Sequence, residues 1–203
     1  MSTAEPRWRR LEPDERREQI LACAIELFGE RSYAAVSTTE LARRAGVARG
    51  LINHYFGTKR DLYLEVVRRM VTIPQAAVDH LPAGTLEERV EESVTWFLDG
   101  VSRHSKTWLA AIGAEGVDTE VARILAEADE LAADRVLEAT GLADAVAHRE
   151  ELRALIRAYG GLVKATAREW LVRDVLSREQ VQVVLAMSLL SLVRDTVPRI
   201  QST

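Results

Sequence analysis

The sequence has a single cysteine, Cys23, so no internal disulfide can form. The fold must be held by packing alone, and a reducing compartment is expected. Glycine and proline are scarce, with 11 and 5 among 203 residues; Ala, Leu, Glu and Arg dominate, a composition that favours helix. No internal repeat, low-complexity tract or strand-like alternation is visible. The first twenty residues carry five arginines and no apolar core, which argues against a secretory signal. The most apolar stretch, 181–193, is interrupted by Gln182, Ser188 and Ser191 and reads as too short to span a bilayer. The expected location is the cytoplasm.

Several chemistries lack their signatures. His54, His80, His104 and His148 are scattered, with no metal-ligand spacing among them. Gly160-Gly161 falls in a helical stretch without the strand or the Lys-Ser/Thr of a phosphate loop, so close helix packing is the better reading. No cofactor motif and no nucleophile elbow occurs. An all-helical enzyme would rest on loose candidates alone: His104, Glu115 and Asp118.

What is present is amphipathic helix. The net charge of −4 hides an asymmetry: residues 1–60 carry +3 and residues 61–203 carry −7. A basic end on an acidic body suits contact with nucleic acid through that end. Residues 1–13 read as a flexible arm, 14–60 as a small helical domain and 61–203 as a larger body, joined by a helix over 58–72. The first helix carries Ile20, Leu21, Ala24, Ile25, Leu27 and Phe28 as its apolar stripe, with Cys23 inside it. Ser37 and Glu40 have capping-box spacing and open a helix of about two turns that Gly46 closes. A second short helix follows from Ala48, stopped by Gly57. Thr58 and Asp61 repeat the capping pattern.

The body reads as helices over 85–104, 106–114, 119–139, 150–173 and 178–197, the last stopped by Pro198. Its helix over 178–197 is apolar nearly all round, more than one outer helix of a monomer needs. Val181, Val184, Leu185, Leu189 and Leu192 are therefore assigned to a two-fold interface built as a four-helix bundle.

Two short helices separated by Gly46-Val47 form a helix-turn-helix, whose second helix can enter a major groove. The stretch STTELARRAGVARGLINHYFGTKRDL resembles the DNA-binding domain of the tetracycline-repressor (TetR-like) family. Thr38-Thr39, Leu41-Ala42, Ala45-Gly46-Val47, His54-Tyr55-Phe56, Lys59 and Leu62 carry the likeness. The resemblance implies an all-α protein: a three-helix DNA-binding bundle followed by a larger ligand-binding and dimerisation domain. It implies a homodimeric repressor of palindromic double-stranded DNA, released by a small-molecule effector.

By the same resemblance, Thr39 and Lys59 contact phosphates, Thr38 belongs to the same set, and Arg49, Gly50, His54 and Tyr55 face the groove. Ile52 and Phe56 anchor the other side. Two positions depart from the family: Ala48 stands where Ser or Thr is usual, removing a capping hydroxyl, and Asn53 stands where Tyr is common. Asn53 either reads an adenine edge or caps the helix end. Arg49 and His54 each have a plain solvated alternative, and Arg43 and Arg44 read as an exposed charged face.

In the body, Trp96, Phe97, Trp108 and Tyr159, with His104 nearby, read either as core or as an apolar pocket. The resemblance to ligand-gated repressors favours a pocket for a small apolar or aromatic effector, with His104 or Glu115 as its polar anchor. Trp170 is expected to pack at a helix end.

Overall fold

The computed structural model describes residues 12–114, 116, 118–145 and 148–202. Residues 1–11 of the expected arm, and Glu115, lie outside that set. Among the described residues the secondary structure is helical, with no strand. The helices are α1 (Pro13–Glu30), α2 (Thr38–Ala45), α3 (Arg49–Phe56), α4 (Lys59–Val71), α5 (Ala76–Asp79), α6 (Leu86–Arg103), α7 (Ser105–Gly113), α8 (Thr119–Ala139), α9 (Arg149–Leu171), α10 (Arg178–Ser191) and α11 (Val197–Gln201).

Most boundaries follow from local chemistry. Thr85 with Glu88 and Ser177 with Gln180 close reciprocal capping boxes, starting α6 and α10. Asp118 caps α8 by accepting from the backbone N–H groups of Glu120 and Val121, each at 3.1 Å. Its carboxylate therefore serves a helix end. Gly46 ends α2 at φ +63°, a left-handed conformation that costs glycine little.

Three boundaries differ from the sequence expectation. Helix α1 begins at Pro13, one residue before the expected start, because Glu12 and Glu15 form a capping box and Pro13 occupies the first turn, where its missing N–H costs nothing. The four-residue α5 was not anticipated, since a single turn is too short to show a periodic stripe. Pro198 does not stop the last helix. A π turn over Leu192–Thr196 precedes it, in which the Val197 N–H reaches back to the Leu192 carbonyl, and Pro198 then sits in the first turn of α11. The wider turn absorbs the lost donor and the ring.

The chain forms two compact units, one up to Val66 and one from Val67. The division falls inside α4, not at its start, because Leu62 is fully buried and Tyr63 packs edge-on against Phe28 at 5.2 Å within the first unit. In that unit Ile20, Leu21, Ala24, Leu27 and Phe28 of α1 join Leu41 and Ala45 of α2 and Ile52 of α3 in one core.

The second unit has its core among α6, α8, α9 and α10, centred on Leu98, Leu137, Leu152, Val181 and Leu185. Helices α8 and α9 run antiparallel, and charges pin their register: Asp134 accepts from Arg149 and Arg153, Glu130 from Arg153 and Arg157, and Asp129 from Lys164. The helical run Arg178–Gln201 has the length and apolarity of a membrane span, which the interruption by polar residues had seemed to deny. Its Val181, Leu185, Ala186 and Leu189 are nevertheless committed to the core of the body.

Candidate functional site

Helix α3 shows two chemically different sides. Ile52 and Phe56 are buried, while Arg49, Gly50, Asn53 and His54 are exposed and Tyr55 is half-buried. The Tyr55 ring meets the His54 ring nearly edge-on at 5.1 Å. Ala48 is the N-cap and supplies no side-chain bond, as its lack of a hydroxyl requires. A Cβ at Gly50 would meet nothing within 4 Å, so the backbone there is open to close approach. Asn53 does not cap the helix end: its backbone carbonyl accepts from Gly57, and its side chain stays on the exposed face.

The scaffold behind this face is polar and well paired. Ser37 accepts from the Glu40 N–H at 3.1 Å. Glu40 does not return the bond; its carboxylate takes the Arg31 guanidinium instead. Arg44 is held by Glu30 at 2.5 and 2.7 Å, which also raises its pKa, so Arg44 is a structural ion pair. Thr58 and Asp61 exchange bonds at the start of α4, and Thr58 holds the Asp61 carboxyl below the ordinary carboxylate range. Cys23 lies 3.7 Å from the Arg44 carbonyl, and burial pushes its thiol pKa up, which disfavours the nucleophilic thiolate.

Lys59 is where sequence reasoning missed most. Its ammonium donates to the Tyr33 and Val36 carbonyls, both at 2.7 Å, and lies 4.1 Å from the Tyr33 ring centroid. Two of its three donors thus hold the turn that leads into α2. Lys59 shares no local pattern with residues 33–36, so no sequence signal could have shown this.

The body unit contains a cavity of about 160 Å³. At about 10–15 Å³ for each water, it has room for on the order of ten waters. Trp96, Phe97, Trp108 and Tyr159 all line it, as expected. Phe97 and Trp108 meet edge-on at 6.1 Å, and the Tyr159 hydroxyl donates to the Leu185 carbonyl at 3.1 Å. Burial drives the Tyr159 pKa well above its ordinary value, so the phenol is neutral.

His104 is not part of the lining; it sits at the junction where α6 ends and α7 begins. The polar wall comes instead from Ser93, Asp129, Arg135 and Lys164, none of which the sequence analysis singles out. Gly160 also lines the cavity, and added Cβ atoms at Gly160 and Gly161 would meet nothing within 4 Å. The glycine pair therefore does not mark close packing inside the subunit. Trp170 lies at the end of α9, partly buried against the core.

The residues assigned to a two-fold interface divide. Val181, Leu185 and Leu189 are buried within the body itself, at 0%, 1% and 4% exposure, whereas Val184 and Leu192 are half-buried. An all-round apolar helix offers no sequence cue to which side meets its own subunit. The outward apolar residues of α10 are Val183 and Met187, and Val172 and Val175 follow α9. On α9, Ala154, Ala158, Gly161 and Ala165 form an exposed stripe of small residues.

A compact helix-turn-helix unit, with one face of its second helix free, joined to an all-helical body defines the class of DNA-binding transcription regulators. Residues 20–66 match the bacterial regulatory proteins of the tetR family. The chain is 31% identical over 175 residues to the HTH-type transcriptional activator FasR of Mycolicibacterium smegmatis, covering 83% of this chain and 78% of FasR. It is 28% identical over 119 residues to the HTH-type transcriptional regulator BetI of Vibrio atlanticus, covering 55% of this chain and 60% of BetI. A TetR-family regulator from Streptomyces coelicolor has the same fold, with a TM-score of 0.73 and 24% identity over 94% of this chain and 88% of that one. The chain belongs to the TetR family and is a DNA-binding transcription regulator.

Proposed function

We propose that this chain is a cytoplasmic homodimeric repressor, and that a small apolar effector releases it from a palindromic operator. The observation that carries this reading is the cavity in the body unit. A protein whose whole task was to sit on DNA would gain stability by packing that space, at roughly 24 cal/mol for each Å³ filled. Keeping it open and walled with aromatic side chains favours a ligand.

On the DNA side, Arg49 and Asn53 read base edges, and Gly50 lets the backbone approach. His54, Tyr55, Thr38, Thr39 and the remaining donor of Lys59 meet phosphates. The dimer forms through the outward faces of α9 and α10: the small-residue stripe from Ala154 to Ala165 lets helices approach closely, and Val183 and Met187 fill the seam. Release follows from α4. It is one continuous helix from Lys59 to Val71, and Val71 and Ile73 line the cavity. A ligand that displaced them would tilt α4 and change the spacing of the two recognition helices. A coupling of about 1–3 kcal/mol would shift DNA affinity roughly 5–150-fold.

Selection from random duplexes by the purified protein should enrich a two-fold sequence whose half-sites lie about 34–36 Å apart, or a multiple of it. The same complex, challenged with a small-molecule library, should yield compounds that release it, and Trp108→Ala should abolish that response. A protein that enriches no sequence at low salt is not this regulator. An operator complex indifferent to every compound that fills the cavity would end the effector reading. A promoter reporter then gives the sign, with expression rising on addition of effector if the chain represses.

A further inference from the structure

Helix α2 ends with help from α1. The last carbonyls of an α-helix have no partner within the helix; in α2 they belong to Ala42, Arg43, Arg44 and Ala45. The turn serves the first two, with the Val47 N–H donating to Ala42 at 3.0 Å and the Gly46 N–H to Arg43 at 3.2 Å. The other two are met from α1. Gln19 Nε2 donates to the Ala45 carbonyl at 3.0 Å, and the Cys23 thiol, one helical turn on, lies 3.7 Å from the Arg44 carbonyl. A thiol is a weak donor, so Gln19 makes the stronger bond. Ala45 is almost fully buried, so water offers its carbonyl little.

The other end of the same amide is a liability. Gln19 Oε1 is buried and has no hydrogen-bond partner. An unmet buried acceptor costs free energy that a methionine of similar length would not, so what the amide contributes here is its donor. Helix α3 depends on that donor because its own start is uncapped: Ala48 offers no side-chain acceptor to the first N–H groups. The far end of α3 is held separately. Phe56 is buried with the Arg17 guanidinium 4.9 Å from its ring centroid, and Arg17 is paired with Glu65 at 3.0 Å. The near end, with Arg49 and Gly50, rests on the turn over 46–48 and on whatever fixes the end of α2.

We propose that Gln19 is a positioning residue for base reading: it clamps the end of α2 from α1 and so sets the direction in which α3 presents Arg49 and Asn53. It acts through the Ala45 carbonyl and the turn that follows. The effect falls on specificity. A phosphate contact tolerates a small shift because charge acts over a distance, whereas a bidentate base contact needs donor and acceptor within hydrogen-bond reach. Losing the clamp therefore reduces discrimination between operator and unrelated sequence more than affinity for DNA in general. This rests on the reading of α3 as the base-contacting helix and adds what aims it.

The test uses the full chain and two duplexes: the operator that the wild type selects from random sequence, and a scrambled duplex of the same length. Gln19→Met keeps the length of the side chain and removes the donor. It should lower operator affinity at least about five-fold and scrambled-duplex affinity less than about two-fold. Circular dichroism and an unfolding curve establish that wild type and variant are both fully folded at the assay temperature. Gln19→Glu adds a readout that stability alone does not move. Ionised, it turns an acceptor towards the Ala45 carbonyl; protonated, it donates there. Relative to the wild type at the same pH, its operator-to-scrambled ratio should be low at about pH 8 and recover towards about pH 5, because burial raises a carboxyl pKa. Equal losses on both duplexes, or an unchanged ratio in Gln19→Met, would mark the bond as structural only and overturn the proposal. A Gln19→Glu ratio that does not recover in acid would overturn it too, and decides alone if Gln19→Met does not fold. A wild type that prefers no sequence brings down the base-contacting helix and the clamp together. A selective wild type beside an equally selective Gln19→Met brings down the clamp alone.

Discussion

The Lys59 ammonium lies 4.1 Å from the centroid of the Tyr33 ring and donates to the carbonyl of the same residue at 2.7 Å. A side chain assigned to DNA phosphate is thus also a staple of the reading unit, tying the start of α4 to the turn before α2.

Removing that staple should be felt without DNA. Lys59→Ala leaves the Tyr33 and Val36 carbonyls without their charged donor and should lower unfolding stability by roughly 1–3 kcal/mol. Denaturant titration of the free protein checks this, and an unchanged midpoint would show that the staple contributes nothing. Loss of the phosphate contact should separately reduce the salt slope of DNA binding by about 0.9.

Asn53 is exposed on α3 and takes no part in the helix cap, so its amide is free to read a base. Asn53→Ala should cost about 1–3 kcal/mol on the preferred operator and relax one base position in each half-site. Binding measured on a panel of single-position operator variants would show it. Uniform weakening across the panel would instead assign Asn53 to the backbone.

Arginine substitutions on α10 should separate assembly from folding. Val183 and Met187 are about 60% exposed, so Val183→Arg or Met187→Arg should give folded monomers that bind operator weakly. Leu185→Arg places a charge in the core and should unfold the body, because a buried unpaired charge is not tolerated. Sedimentation and circular dichroism together distinguish the two outcomes. A dimer that persists in both exposed-site variants would move the interface elsewhere.

Acid should weaken the body through the α8–α9 charges. Hydrogen bonding from Arg153 holds the Glu130 carboxyl below its ordinary value of 4.5. The native state then binds fewer protons than the unfolded chain near that pH. The stabilisation from Glu130 is whole above that ordinary value and is lost as the pH falls through the lower, native one. Glu130→Gln should flatten this part of the stability–pH curve, and an unchanged acid limb would show that Glu130 contributes nothing to it.

The sequence by itself determined what depends on near neighbours in the chain. Ser37 and Glu40, Thr85 and Glu88, and Ser177 and Gln180 sit within one helical turn of each other, so their caps could be read directly. Gly46 closes α2 for an equally local reason, and the helix-turn-helix with its exposed face followed. The tertiary structure decided what depends on the opposite wall. Which side of α10 is core, that Lys59 reaches back to Tyr33, and that Arg135 and the Asp129–Lys164 pair face a cavity while His104 does not are all set by packing between distant segments. Periodicity marks which face of a helix is apolar, but burial is a relation between two surfaces, and one helix's sequence describes only one of them.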